Sequence, residues 1–358
     1  MTICFRHVWL IPVLGLLGGC ATNTPSEPRT RLGSIPFPGV FTLYATADPS
    51  HLGQHRYEAW WEKLDGPGET SRGILYSCRA GFLDLSHIRD TADWCKYIHD
   101  RSLEVLGNMG QGGASSHAFA FNCSDARYEV ELRAPECWHA LSQSERDDLT
   151  REAAIRIGQR MSVILSTWHE IGTWYGQETI PGISERNSAF TWDDGTSHVV
   201  ASIIAGRALR SRDPWDVAVT RELDAELASL GIVDPACQSR AIDMVKDRWW
   251  KDGTAARRDL DTGLEGQPKV PWLVQGLDCC SNSQYAELTV VDLRSVHGRD
   301  LSDLLHFRII PSKSILRKAL ACSSDCPSAI QSESDLFTAL VNVRQDLKAV
   351  LGPHADEP

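Results

Sequence analysis

The 358-residue sequence lacks most of the patterns that announce a function. It has no G-x-G-x-x-G, no Walker-type phosphate loop, no G-x-S-x-G elbow and no EF-hand loop. The common dinucleotide, nucleotide, serine-hydrolase and calcium readings therefore have nothing to rest on. No pair of C-x-x-C motifs occurs, which argues against a zinc-thiolate ribbon. Basic residues are outnumbered, 36 against 47 acidic, for a net charge of −11. Such a chain is a poor partner for phosphate backbones, so nucleic acid is not expected. No repeat of solenoid period is found. With 42% apolar and 23% charged residues, the composition is globular and excludes a disordered, collagenous or coiled-coil chain.

Past the first 20 positions there is no apolar run of about 20 residues, so nothing further is expected to span a membrane. The start itself is different. Arg6 and His7 precede an apolar stretch from Val8 to Leu17, of signal-peptide length. Leu17-Gly18-Gly19-Cys20 then resembles a bacterial lipobox. The resemblance implies a signal peptide over 1–19, lipidation at Cys20 and anchoring through acyl chains. Ala21 in place of Asp implies the outer membrane rather than the inner. Residues 20–39, rich in Thr, Ser, Pro and Arg, read as a flexible tether. Without residues 1–19, which hold one Arg and no acid, the charge moves from −11 to −12.

Export permits disulfides. Besides Cys4 and Cys20 there are nine cysteines, an odd number that leaves at least one outside an intrachain bridge. Cys322 and Cys326 are spaced for a local bridge, whereas adjacent Cys279 and Cys280 are expected to pair with other segments.

Short apolar or alternating runs at Arg56–Trp61, Gly73–Cys78, His117–Asn122, Tyr128–Arg133, Tyr285–Leu293 and Leu305–Ile310 predict strands. Asp84–Val105 predicts a helix. Ser142 and Glu145 form a capping-box pattern before apolar residues at helical spacing from Leu149 to Ile171. This predicts one long helix over Ser144–Tyr175, roughly 45 Å, crossing the core. Further helices are predicted at Thr196–Ser211, whose Ala201, Ser202, Ala205 and Gly206 permit close packing, and at Val219–Leu230, stopping at Gly231. Pro235–Lys251, stopping at Gly253, and amphipathic Ser332–Leu351 complete the set. The expected fold is α+β and mainly helical: a long central helix, further helices and a small antiparallel sheet. The main domain would run over 40–311, with a candidate subdomain boundary near 253–271 and a C-terminal extension over 312–358.

Two histidine motifs carry the candidate chemistry. His169-Glu170 lies within an apolar helix, like the first half of a zincin signature, but Thr173 stands where the second His belongs. A metal at His169 would then need ligands from elsewhere. Asp84, His87 and Asp90, three apart, share a helix face and offer an O,N,O set for a divalent ion such as zinc, iron or manganese. Glu170 would serve as base or ligand. Glu185, Asp193, Asp194 and His198 form a second tier, Asp193 or Asp194 also suiting an N-cap. In the structural alternative Asp84 caps a helix and Asp90 pairs with Arg89 or Lys96, while His87 donates to a carbonyl. A thiol reading places Cys78 at a helix start and His117 on a strand, faintly similar to cell-wall thiol peptidases. Twelve tryptophans include candidates for a sugar-stacking surface, although core packing is their more usual role.

Three stretches together resemble a family of bacterial lipoproteins known as a domain of unknown function. They are Cys-Arg-Ala-Gly-Phe-Leu-Asp-Leu-Ser-His-Ile-Arg-Asp from Cys78, His-Glu-Ile-Gly-Thr-Trp-Tyr-Gly from His169, and Ser-Ala-Phe-Thr-Trp-Asp-Asp from Ser188. The resemblance covers roughly Pro36 to Phe307 and implies an envelope lipoprotein without implying an activity. The function expected is metal-assisted hydrolysis of an envelope substrate. Non-catalytic binding or assembly in the envelope stands beside it, and a Cys-His thiol hydrolase third. The partners expected are a membrane, through the anchor, and an envelope ligand.

Overall fold

The computed structural model describes residues 27–28, 46–57, 73–109, 116–178, 182, 184–251, 254–281, 283–323 and 325–358. The signal peptide, Cys20 and nearly all of the tether lie outside the described residues, as do 58–61 of the expected first strand. Among the described residues no helix is long and apolar enough to cross a membrane.

The chain enters through a hairpin of β1 (Ile74–Ser77) and β2 (Gly81–Asp84), buried on both faces. Asp84 ends β2 and caps α1 (Leu85–Gly107), its carboxylate accepting from the Ser86 amide at 2.6 Å. Strands β3 (Ser116–Asn122) and β4 (Ala126–Arg133) pair antiparallel. α2 then runs over Gln143–Trp174, about 48 Å at the α-helical rise. Its capping box is complete: Ser142 N–H donates to Glu145 Oε2 at 2.9 Å, and Ser142 Oγ accepts from the Glu145 amide. The first half of α2 shows solvent one charged face, and the second half is buried nearly all round.

α3 (Asp194–Arg210) packs with α1 and α2 as a three-helix core. Small residues let these helices approach. A Cβ on Gly158 of α2 would lie 2.5 Å from the Cys95 carbonyl oxygen of α1. On α3, Gly206 leaves room for Gln159, which donates to the Ser202 carbonyl at 2.8 Å. α4 (Trp215–Ser229) ends before Gly231, at φ +73°, where the expected stop occurs. α5 covers Pro235–Val245.

α5 is shorter than expected. Asp247 takes φ 62°, and the chain turns so that Trp249 is buried against Phe82, Trp192 and Trp272. Burying that ring outweighs continuing the helix to Gly253, and Trp250–Lys251 pairs instead with Thr254–Ala255 as β5 and β6.

Tyr285–Leu293 is likewise not a strand. Ala286, Leu288 and Val290 alternate inward as the sequence suggests, but the segment meets only an isolated bridge at Lys269. β7 (Leu305–Pro311) is a strand as expected and joins β4, giving the antiparallel order β3-β4-β7. α6 (Lys313–Ala319) and α7 (Glu333–Leu351) close the chain; Leu336, Leu340, Val343 and Leu347 of α7 enter the main core. The fold is α+β and mainly helical.

Disulfides join Cys78 to Cys280, Cys237 to Cys279, and Cys322 to Cys326. The vicinal pair therefore reaches out to two segments, the β1–β2 turn and the first turn of α5. Cys95 and Cys123 are free thiols.

Candidate metal centre

Each helix of the three-helix core sends one polar side chain to a common point. His87 comes from the first turn of α1, Glu170 from the last turn but one of α2, and His198 from the second turn of α3. One ligand atom from each lies within 4.8 Å of the others. The two imidazoles are stacked, with centroids 5.2 Å apart and planes 5° from parallel. Glu170 and His198 are buried, and the His87 side chain keeps 26% of its surface.

Backbone geometry holds these groups in place. The Asp84 amide donates to Ser197 Oγ at 2.8 Å, tying the end of β2 to α3. Glu170 Oε2 accepts from the Phe190 amide at 2.8 Å, and Phe190 O accepts from the Asp259 amide at 2.9 Å. Phe190 sits at φ 57°, a conformation that costs a bulky residue energy and is kept only where its surroundings impose it. Asp194 Oδ2 accepts from Thr191 N and Oγ1, leaving Oδ1 3.3 Å from His87 Nδ1. A carboxylate so placed orients an imidazole for a metal.

The electrostatics call for a cation. Burial and then Asp84 push the Asp193 carboxyl up to about 6. Burial, with Glu170 and Asp193 nearby, raises Asp194 well above the usual carboxylate range. Burial opposes a charge on His87, but Asp84, Glu170, Asp193 and Asp90 together raise its pKa. Burial, then His87 and His169, hold His198 well below the usual range and keep it neutral, the form that binds metals. Asp193 Oδ1 is buried without a hydrogen bond. A cavity of about 10 Å³, room for about one water, is lined by Glu170, His198, Thr167, Gly195 and Asp259. Beside it lies the fully buried ion pair of Lys269 and Asp259.

The other candidates are placed as follows. His169 faces away from its neighbour Glu170, as consecutive helical residues must. Its Nδ1 is 3.8 Å from Asp125 Oδ2, which also accepts from Tyr128 OH at 3.0 Å. Burial resists charging His169, but Asp125 dominates and lifts it to about 9. Asp84 serves as the α1 cap, and Asp90 stands one turn beyond His87, outside the ligand group. Lys96 pairs with Asp100, and Arg89 donates to the carbonyls of Leu52 and Gln54. Glu185 is buried near His169, its carbonyl accepting from Ser188. Cys78 is joined to Cys280, which removes the thiol that the Cys-His reading requires, and His117 is on β3, in a different sheet from the β1–β2 hairpin whose turn holds Cys78.

From sequence alone His198 ranks only in the second tier. Its signal was present in Asp194 and His198, four apart and therefore on one face of α3. The strained Phe190 and the Lys269–Asp259 pair gave no sequence signal.

Residues 15–257, more than half of the chain, match the model of a family described as a protein of unknown function, DUF4056. No curated protein and no solved structure matches the chain.

Proposed function

Given that the chain belongs to the DUF4056 family, whose description attaches no activity, we propose from its own residues that it is a metal-dependent hydrolase of the cell envelope. The convergence of His87, Glu170 and His198 carries the proposal. Two imidazoles and a carboxylate form a three-ligand set of the kind that leaves a coordination position for water, whereas structural zinc sites use four protein ligands. Zinc, iron and manganese all accept such ligands. A metal held there would supply an activated water. Asp193, whose buried Oδ1 makes no hydrogen bond, would accept its proton. Glu170 acts here as a ligand, because its other oxygen is engaged by Phe190. Cys20 would carry the acyl anchor, placing the domain at the periplasmic face of the outer membrane, where the substrate would be peptide, glycan or lipid.

A second reading draws on the hydrogen bonds that tie Glu170 and Asp194 into the 190–194 turn. In it the same groups hold a metal or a polar network in a non-catalytic binding or assembly protein.

Incubation of the metal-loaded full chain with isolated envelope, followed by mass spectrometry of released fragments, separates the two. Release by the wild type that Asp193→Asn abolishes without loss of metal supports hydrolysis. Equal release by both forms, or none, leaves the binding reading.

A further inference from the structure

A second concave site lies on the other side of the Lys269–Asp259 pair. It encloses about 490 Å³, within the range of small-ligand pockets, and its walls include Arg248, Trp249, Asp261, Trp272, Gln275 and Tyr285. Two exposed apolar side chains, Val270 at 48% and Tyr285 at 49%, stand on its wall.

Tyr285 is the exposed aromatic group of the cleft, Trp249 and Trp272 being largely buried in its wall, and all three are held by the packing around them. Tyr285 follows the turn fixed by the Cys78–Cys280 and Cys237–Cys279 bridges, and the next amide, Ala286, donates to the Arg79 carbonyl at 2.8 Å. Trp272 packs edge-to-face on Trp249, centroids 5.5 Å apart. Its carbonyl lies against Gly81, where a Cβ would come within 2.2 Å of it, so only glycine allows the approach. Planar polar groups line the same cleft. Among the described residues, Arg248 and Gln275 are exposed and make no side-chain hydrogen bond or ion pair, and the Asp261 side chain is 45% exposed.

We propose that this cleft binds an oligosaccharide. Sugar rings present apolar C–H faces that lie on aromatic side chains, and hydroxyl groups that pair with planar Asp, Gln and Arg. An acyl chain fits poorly, because it would strip water from Arg248 and Asp261 without replacing it. A peptide adding as a strand needs free backbone groups. Here the Val270 amide is committed to Asp261 and the Val274 amide to the Tyr76 hydroxyl. The cleft shares only Asp259 with the small cavity beside Glu170 and His198, so the inference stands apart from the metal reading.

Calorimetric titration of the full chain with chitotetraose, cellotetraose and maltotetraose, and with tetra-alanine as the peptide control, tests it. The expected result is saturable binding of at least one sugar, weakened about tenfold or more in Tyr285→Ala and Arg248→Ala and unchanged in His87→Ala. The two cleft variants are expected to keep the wild-type melting temperature. Binding of none of the sugars by the folded wild type would overturn the proposal. So would equal binding by wild type and both cleft variants, or a preference for the peptide.

Discussion

The imidazole of His87 lies parallel to that of His198, 5.2 Å between centroids, although the two belong to different helices. Stacked imidazoles surrounded by Asp84, Glu170, Asp193 and Asp194 are a costly arrangement for a protein to hold without a cation. A divalent ion would give both rings an electron-pair acceptor and offset the carboxylates. The predictions below test that account and the packing that supports it.

Chelation should lower thermal stability. An ion bound to the native state alone contributes about 2.7 kcal/mol when free metal is near 100 times its dissociation constant. Scanning calorimetry of the full chain with and without a strong chelator should show a fall of several degrees, reversed by adding zinc or manganese. An unchanged melting temperature would speak against a bound ion.

Glu170 should separate binding from folding. In Glu170→Gln the side-chain carbonyl still accepts from Phe190, and one buried carboxylate is gone. The metal-free variant should be at least as stable as the metal-free wild type while binding metal far more weakly. Glu170→Ala leaves the Phe190 amide without an acceptor and should cost about 1–3 kcal/mol. Denaturant unfolding of the metal-free proteins measures both.

Gly158 and Gly107 should respond oppositely to alanine. At Gly158 the added carbon meets the Cys95 carbonyl at 2.5 Å and drives α1 from α2, costing about 1–3 kcal/mol or more. At Gly107, with open space around it, alanine should be neutral or stabilising by under about 1 kcal/mol. Urea midpoints distinguish the two outcomes.

The disulfides should differ in weight. Cys78–Cys280 links positions 202 apart and fixes the hairpin that delivers Asp84 and His87. Replacing both cysteines by serine should cost about 2–5 kcal/mol. Cys322–Cys326 closes a separation of only 4 residues, and its loss should cost less. Thermal unfolding of the two double variants should rank them in that order.

Much of the architecture is legible in the sequence because local chemistry decides it. Ser142 with Glu145, Gly231 and Ser332 mark helix ends where the structure has them. The same kind of signal at Gly253 misleads, because the burial of Trp249 among Phe82, Trp192 and Trp272 turns the chain earlier. At Tyr285–Leu293 the alternation reports burial, but a strand also needs a neighbour, which is a tertiary fact. His87, Glu170 and His198 each stand out singly. Their grouping depends on how α1, α2 and α3 cross, which spacing within one helix does not encode. Adjacency in sequence favoured His169 beside Glu170, yet neighbours on a helix point in different directions.

Elemental mass spectrometry of the full chain, purified without a histidine tag or chelator, tests the central claim most directly. The account predicts near-stoichiometric zinc, iron or manganese in the wild type and in His169→Ala. It predicts loss of that metal in His87→Ala and His198→Ala, with all three variants folded by circular dichroism. Metal absent from the folded wild type and not taken up on adding these ions, or retained by both His87→Ala and His198→Ala, would contradict it.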